Sequence, residues 1–449
     1  MTVTVMKWAV VALVLAVLPA RAEIAIQNVT SPGGITAWLV EDHNIPFTAL
    51  EIRFKGGTSL DLPGSRGAVN LMAATLEEGA GALDAQGFAE ARDALAAGFG
   101  FSAGQDSIGV SARLLTENRD AAIELLRSAL IEPRFDEDAV ERVKGQILAG
   151  LASDAQDPGV LATLRFDGMA FAGHPYGSAG EGTPDSVAAL TRADVLDAHK
   201  ATMTRDRVYV AAAGDISAAE LGPVLDRLLG GLPAVGRQMP AVAGWHLGGG
   251  VTVVDYPSPQ SVILFGQEGL RLDDPDFFAA FILNEVLGGE RFSARLMTEL
   301  REKRGLTYGV SSFLAPMDFA QAFMGQMATA NATVAESIAL IRQEWQRMAT
   351  EGITAEELAA TKTYMTGSYP LRFDGNGEIA DILVGLQMDG LPIDYPATRN
   401  ARVEAVTLDD VKRVAARLFQ PDKLHFVVVG QPEGVMTAGQ QGSEEAPAP

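Results

Sequence analysis

Cysteine is absent from the 449 residues, which excludes both a disulfide framework and any thiolate metal site. A chain of this length has enough core to do without disulfides. Histidine is scarce: His43, His174, His199, His246 and His425 are the five, and no two lie closer than 25 residues. No spacing among them suits a shared metal, and lone histidines on helices or strands, such as His199 and His425, are read as packed or surface side chains. His174, followed by Pro-Tyr-Gly, reads as turn chemistry. Gly-x-Ser-x-Gly elbows, phosphate loops and Cys-x-x-Cys pairs are missing too. Positive charge is also short, with 35 Lys and Arg against 57 Asp and Glu. That balance makes nucleic acid a poor partner, and solubility alone accounts for it.

Long apolar runs are missing after the first 22 residues. There Lys7 precedes an apolar stretch from Trp8 to Leu18, then Pro19 and Ala20-Arg21-Ala22. The eleven apolar residues fall short of the ~20 a spanning helix needs. The pattern predicts a cleavable secretory signal over residues 1–22, with cleavage before Glu23. Loss of Lys7 and Arg21 leaves 33 basic against 57 acidic residues. The expected mature chain is periplasmic or secreted, with no membrane contact after cleavage.

What is present is a repeat. Leu190-Thr-Arg-Ala-Asp-Val195 is matched 216 positions later by Val406-Thr-Leu-Asp-Asp-Val411. At the same offset, residues 203–214 align with 419–430, each a turn into an apolar strand ending in glycine. Gly34-Ile-Thr36 pairs with Gly250-Val-Thr252, and Phe135-Asp-Glu-Asp-Ala-Val140 resembles Ile353-Thr-Ala-Glu-Glu-Leu358. Four matches in one order argue for duplication. We therefore expect two homologous α+β domains, residues 23–232 and 250–432, each an antiparallel-rich sheet flanked by helices. A Gly/Pro-rich linker (233–249) joins them, and a flexible tail (433–449) follows. Early strands are expected over residues 36–40 and 49–54.

Two stretches carry candidate chemistry. After Pro63-Gly64, Ala68, Leu71, Met72, Thr75 and Leu76 form one helical stripe. The adjoining face holds Asn70, Ala73 and Ala74, the spacing of an inverted zinc motif, His-x-x-Glu-His. Two alanines and an amide cannot replace those ligands. The second stretch is LNEVLGGERFSARLMTELREKRGLTYGV, residues 283–310. It reads as helix, glycine turn and a second helix with Ser293 as N-cap and Leu296, Met297 and Leu300 on one face. Gly305 is its expected C′ glycine, and Leu306, Tyr308 and Val310 share one side of a following strand. Arg301 and Tyr308 are thus expected close together on two rigid elements. A plain structural reading makes Arg301 an ion-pair partner of Glu299 or Glu302 and Tyr308 a packed aromatic.

These pieces resemble the insulinase/pitrilysin-type zinc metallopeptidases, which include the mitochondrial processing peptidase subunits. The 283–308 stretch is similar to the family's second-domain signature; Gly173-His-Pro-Tyr-Gly177, the strand over 206–215 and the two-copy architecture support it. The resemblance spans nearly the whole mature chain. It implies the processing-peptidase-like fold, with the zinc helix at 67–79 and ligand, base and ligand positions taken by Asn70, Ala73 and Ala74. It places the third ligand at Ala149 or Gly150, and neither can ligate. It also implies that Arg301 and Tyr308 hold substrate backbone carbonyls.

On that resemblance the chain is expected to be inactive alone and to bind no metal. It would be the non-catalytic, substrate-binding subunit of a heterodimeric zinc peptidase acting on peptides. Its partner would be a homologous His-x-x-Glu-His chain holding the zinc. The alternative is a structural or assembly protein that keeps the fold without proteolysis. A peptidase with a rearranged metal site of its own is disfavoured, because catalytic zinc normally needs three protein ligands.

Overall fold

The computed structural model describes residues 24–289 and 291–435. The expected signal segment, residues 1–22, and most of the expected tail, residues 436–449, lie outside them. The first half runs β1 (Gln27–Thr30), β2 (Thr36–Glu41), β3 (Phe47–Lys55), α1 (Ala68–Ala74), β4 (Gly98–Ala103) and β5 (Ser107–Leu115). It continues through α2 (Glu137–Asp154), α3 (Pro158–Ala170), α4 (Arg192–Thr202) and β6 (Val208–Gly214). The second half contributes β7 (Gly250–Asp255), β8 (Gln260–Glu268), α5 (Phe277–Leu287), β9 (Val310–Pro316) and β10 (Gln321–Ala330). Then come α6 (Ala355–Ser368), α7 (Asn376–Met388), α8 (Leu408–Leu418) and β11 (His425–Gly430). The fold is α+β.

The duplication is visible in strand order. The first sheet runs β1-β2-β6-β3-β5-β4 and the second β7-β11-β8-β10-β9. Apart from the added β1, each strand of the first sheet has a counterpart at the same place in the second. The pairs β2–β6 and β7–β11 are parallel and the other neighbours antiparallel. The matched sequence pieces become matched structure. Thr191 N–H donates to Asp194 (2.9 Å) at the start of α4, and Thr407 N–H to Asp410 (3.0 Å) at the start of α8. These are side-chain caps of the same kind in both copies. β6 and β11 each end in a left-handed glycine, Gly214 (φ 118°) and Gly430 (φ 156°).

Each sheet buries one face under its own helices. On β3, Leu50, Ile52 and Phe54 face a core with Leu39, Val110, Leu126 and Val210. In the second half Ile263, Phe265, Phe323, Trp345 and Phe426 do the same. The other faces are covered reciprocally. α7 of the second half lies on β3 and β6 of the first sheet, and α3 of the first half lies on β8 and β11 of the second. Small residues permit the first contact: Ala380, Leu383 and Val384 of α7 sit over Ala49, Ala211 and Ala213. In the second, the Phe166 ring nests where a side chain at Gly266 would stand, 2.9 Å from its Cβ position. Burying each such Leu, Val or Phe fully is worth about 1.5–3 kcal/mol.

Gly173-His-Pro-Tyr-Gly177 pins the halves together. His174 Nδ1 accepts from Tyr176 N–H (3.1 Å) and its Nε2 faces the Ala241 carbonyl (3.0 Å). The Tyr176 hydroxyl donates to Asp106 and accepts from Phe319 N–H of the second half (3.1 Å). His174 is thus turn chemistry. His199 and His425 are packed, each nearly buried and bonded to a backbone carbonyl, of Leu130 and Gly248 respectively.

Polar groups rim the α7 contact. Arg53 bridges Glu51 (2.8 Å) on its own strand and Asp381 (2.6 Å) on α7. Burial outweighs the pull of Arg53 and pushes the Glu51 carboxyl up to about 7. A carboxyl whose folded-state pKa is raised favours folding below its ordinary value near 4.5, and that contribution is lost as pH rises through 7. Glu51→Gln should therefore stabilise the protein relative to wild type more at pH 8 than at pH 5, measured by thermal unfolding. Equal pH dependence of the two proteins would contradict this.

Candidate functional site: a zinc-less helix and an arginine–tyrosine wall

α1 occupies the position of the zinc-motif spacing. Its entry is fixed by Gly67 (φ 97°), a left-handed position suited to glycine. Asp61 accepts from Gly67 N–H (2.8 Å) and Val69 N–H (2.9 Å). The helix is shorter than the sequence stripe implied. It ends at Ala74, beyond which Leu76 N–H and Glu78 N–H turn to carbonyls three residues back, those of Ala73 (3.4 Å) and Thr75 (3.2 Å). Asn70 is half-buried, Ala73 buried and Ala74 exposed. Ala149 and Gly150 do lie on a helix, α2, both exposed, with nothing within 4 Å of a Cβ placed on Gly150. An amide and methyl groups do not fit zinc, which takes imidazole, thiolate or carboxylate. Among the described residues no group of three His, Cys, Asp or Glu is placed to hold a metal ion. The acids just past α1 are engaged elsewhere: Glu78 takes a two-pronged Arg142 from α2 (3.0 and 2.5 Å), and Glu77 takes Arg92 (2.9 Å).

The second stretch departs from the sequence reading at two points. Ser293 does not cap a helix; residues 291–294 form a turn, and a π-helical turn spans Met297–Glu302. Lys303 N–H reaches back to the Thr298 carbonyl (3.1 Å), the wide spacing that defines such a turn. Leu306 and Tyr308 are not on a strand, since β9 starts only at Val310. Tyr308 therefore sits on the irregular link 305–309, with 91% of its surface exposed. Gly305 does take the left-handed closing position (φ 63°), its N–H bonded to the Arg301 carbonyl (2.9 Å). Glu299 is engaged by Lys303 (2.6 Å) and Arg304 (2.8 Å). Arg301 lies over the Phe292 ring, 4.7 Å from its centroid.

The glycine pair ties the end of α5 to β9. α5 ends with Gly288 N–H and Gly289 N–H both on the Asn284 carbonyl (2.9 and 3.0 Å). The Gly288 carbonyl then accepts from Ser312 N–H on β9 (2.8 Å), and the Ser312 hydroxyl donates to Asn284 Oδ1 (2.8 Å). The helix end thus covers the outer edge of the edge strand, backbone to backbone. A Cβ on Gly288 would collide with the Ser312 hydroxyl and stand 2.8 Å from its nitrogen.

Between the π turn and β9 lies an open groove of about 480 Å³, lined by Phe292, Met297, Gly309, Val310, Met327 and Val262 among others. Its lining is largely apolar, with Ser311 and Gln326 as polar points. Arg301 touches the groove through Phe292, and Tyr308 directly precedes the lining residue Gly309. Neither side chain lines the groove itself: Arg301 is half-buried against Phe292, and Tyr308 is exposed one residue before Gly309. Phe292 and the groove were not found from sequence, because a helical reading gives residue 292 no relation to 301.

The description of the peptidase M16 inactive domain matches residues 189–365. The chain is thus similar in sequence and fold to proteins of the M16 peptidase family. It is 26% identical over 394 residues to a protein described as "Non-peptidase homolog YmxG" of Helicobacter pylori, covering 87% of this chain and 90% of that protein. It is 24% identical over 335 residues to the probable mitochondrial-processing peptidase subunit beta of Schizosaccharomyces pombe, covering 70% of this chain and 71% of that protein. A crystal structure of a peptidase M16 inactive domain from Pseudomonas fluorescens superposes with a TM-score of 0.84 at 29% identity, covering 92% of this chain and 100% of that one. A chain of complex III2 from Candida albicans, 15% identical with a TM-score of 0.75, covers 92% of this chain and 97% of that one and shares the fold.

Gly288→Ala should cost about 1–3 kcal/mol through forced separation of α5 from β9, read as a lower denaturation midpoint. An unchanged midpoint would show that this contact does not hold the edge.

Proposed function

We propose that the chain is the non-catalytic, substrate-binding subunit of a heterodimeric zinc metallopeptidase of the periplasm or secreted space. The partner is a homologous chain with an intact His-x-x-Glu-His helix, which would hold the zinc and the general base. The observation that carries this reading is the split within one chain. Nothing at Asn70, Ala73, Ala74, Ala149 or Gly150 can hold zinc, yet Arg301 packs on Phe292 of an open groove and Tyr308 is exposed next to its lining residue Gly309. A guanidinium fork and a phenol can donate hydrogen bonds to peptide carbonyls without a metal beside them. Placed opposite a partner's site, they would orient an extended peptide and stabilise negative charge developing on the carbonyl oxygen. The likeness to a non-peptidase homologue and to an inactive M16 domain supports the absence of independent catalysis.

A second reading is a structural or assembly protein, favoured by the shared fold with a complex III2 chain. The two separate on Arg301. Arg301→Ala should lower turnover of a fluorogenic peptide by the two-chain complex on the order of 100-fold, with the complex still forming on a sizing column. Full activity in that variant would remove the role assigned to Arg301.

A further inference from the structure

We infer that Phe292 is a positioning residue for Arg301, holding its guanidinium at the groove by stacking. This rests on the proposed role of Arg301 toward a bound peptide. The geometry is specific. The turn 291–294 is anchored to α6 on both sides of Phe292. Arg291 donates to the buried Thr361 hydroxyl (2.9 Å) and lies 4.8 Å from the Tyr364 ring centroid. Arg295 forks onto Glu357 (2.9 and 2.7 Å), and Ala294 is buried. Phe292 is left 63% exposed in this turn, against the usual preference of phenylalanine for the interior. Its ring lines the groove and carries the Arg301 guanidinium 4.7 Å from its centroid.

A long arginine side chain free to sample its rotamers loses much of that freedom on binding a carbonyl. A ring face on the groove wall restricts those rotamers beforehand and leaves the guanidinium edge, where its N–H donors lie, open to a peptide. The π turn contributes too, since its extra residue per turn changes the direction in which Arg301 leaves the backbone.

The test is a double-mutant cycle in the two-chain complex, using a fluorogenic peptide that the wild-type complex cleaves. Phe292→Leu should raise KM about two- to fivefold without lowering the unfolding temperature, and Phe292→Tyr should restore it. In an Arg301→Ala background Phe292→Leu should have no further effect. An equal loss in that background would mean that Phe292 meets the peptide itself, and no loss in either would mean that it does nothing; both overturn the inference. Side-chain NMR of Arg301 gives a readout independent of turnover: its upfield ring-current shift should vanish in Phe292→Leu and persist in Phe292→Tyr, and an unmoved resonance overturns the inference. If Arg301→Ala alone changes nothing, the role of Arg301 has failed, and that result is separable from a failure of Phe292.

Discussion

A sheet that packs helices on one face leaves the other face to be covered, and here each half covers the other's. α7 lies on β3 and β6 while α3 lies on β8 and β11. Because the strands beneath are apolar on both faces, as in Ala211 and Ala213 against Val210 and Ala212 of β6, neither sheet could stand in water uncovered. The halves are therefore one folding problem, and their mutual placement is set by packing rather than by the linker. The pins at Tyr176, Asp106 and Phe319 and at Arg53, Glu51 and Asp381 are polar additions to that apolar contact.

That rigid pairing leaves two places where side chains are free for chemistry, and they differ in kind. Around α1 the acids are already held by arginines, and the ligand positions are methyl groups or an amide. Around the π turn the Phe292 ring lines an apolar groove and carries the Arg301 guanidinium, with exposed Tyr308 beside Gly309 of the same groove. On the proposed reading this chain keeps the donors for a carbonyl and leaves the metal to a partner, half of a hydrolytic centre. The half it keeps can bind and polarise, and a nucleophile has to come from elsewhere.

Much of this was legible in the sequence because it rests on local rules. The threonine caps at 191 and 407, the strands closing at Gly214 and Gly430, and the turn at His174 each state their structure within a few residues. The closing glycine at 305 did the same. The strand at Leu306 and Tyr308 was misread because alternation does not say where pairing with β10 begins, and it begins at Val310, opposite Met327. The helix after the glycine turn is there over 295–302, with Leu296, Met297 and Leu300 buried, but Ser293 does not cap it, and its π spacing from Met297 was not legible because the 3.6-residue period assumes a regular helix. The overlong α1 has a smaller cause: after Ala74 the backbone tightens into turns, and a side-chain stripe does not register that change. The exchange of α3 and α7 was not legible at all, since an apolar helix face does not say which sheet it will meet.

The most direct measurement is peptide cleavage by the chain from Glu23 onward, alone and mixed with a homologous chain bearing His-x-x-Glu-His, with zinc determined on the same samples. The account predicts cleavage and zinc in the mixture and neither in the isolated chain. Cleavage by the isolated chain together with stoichiometric bound zinc would contradict it.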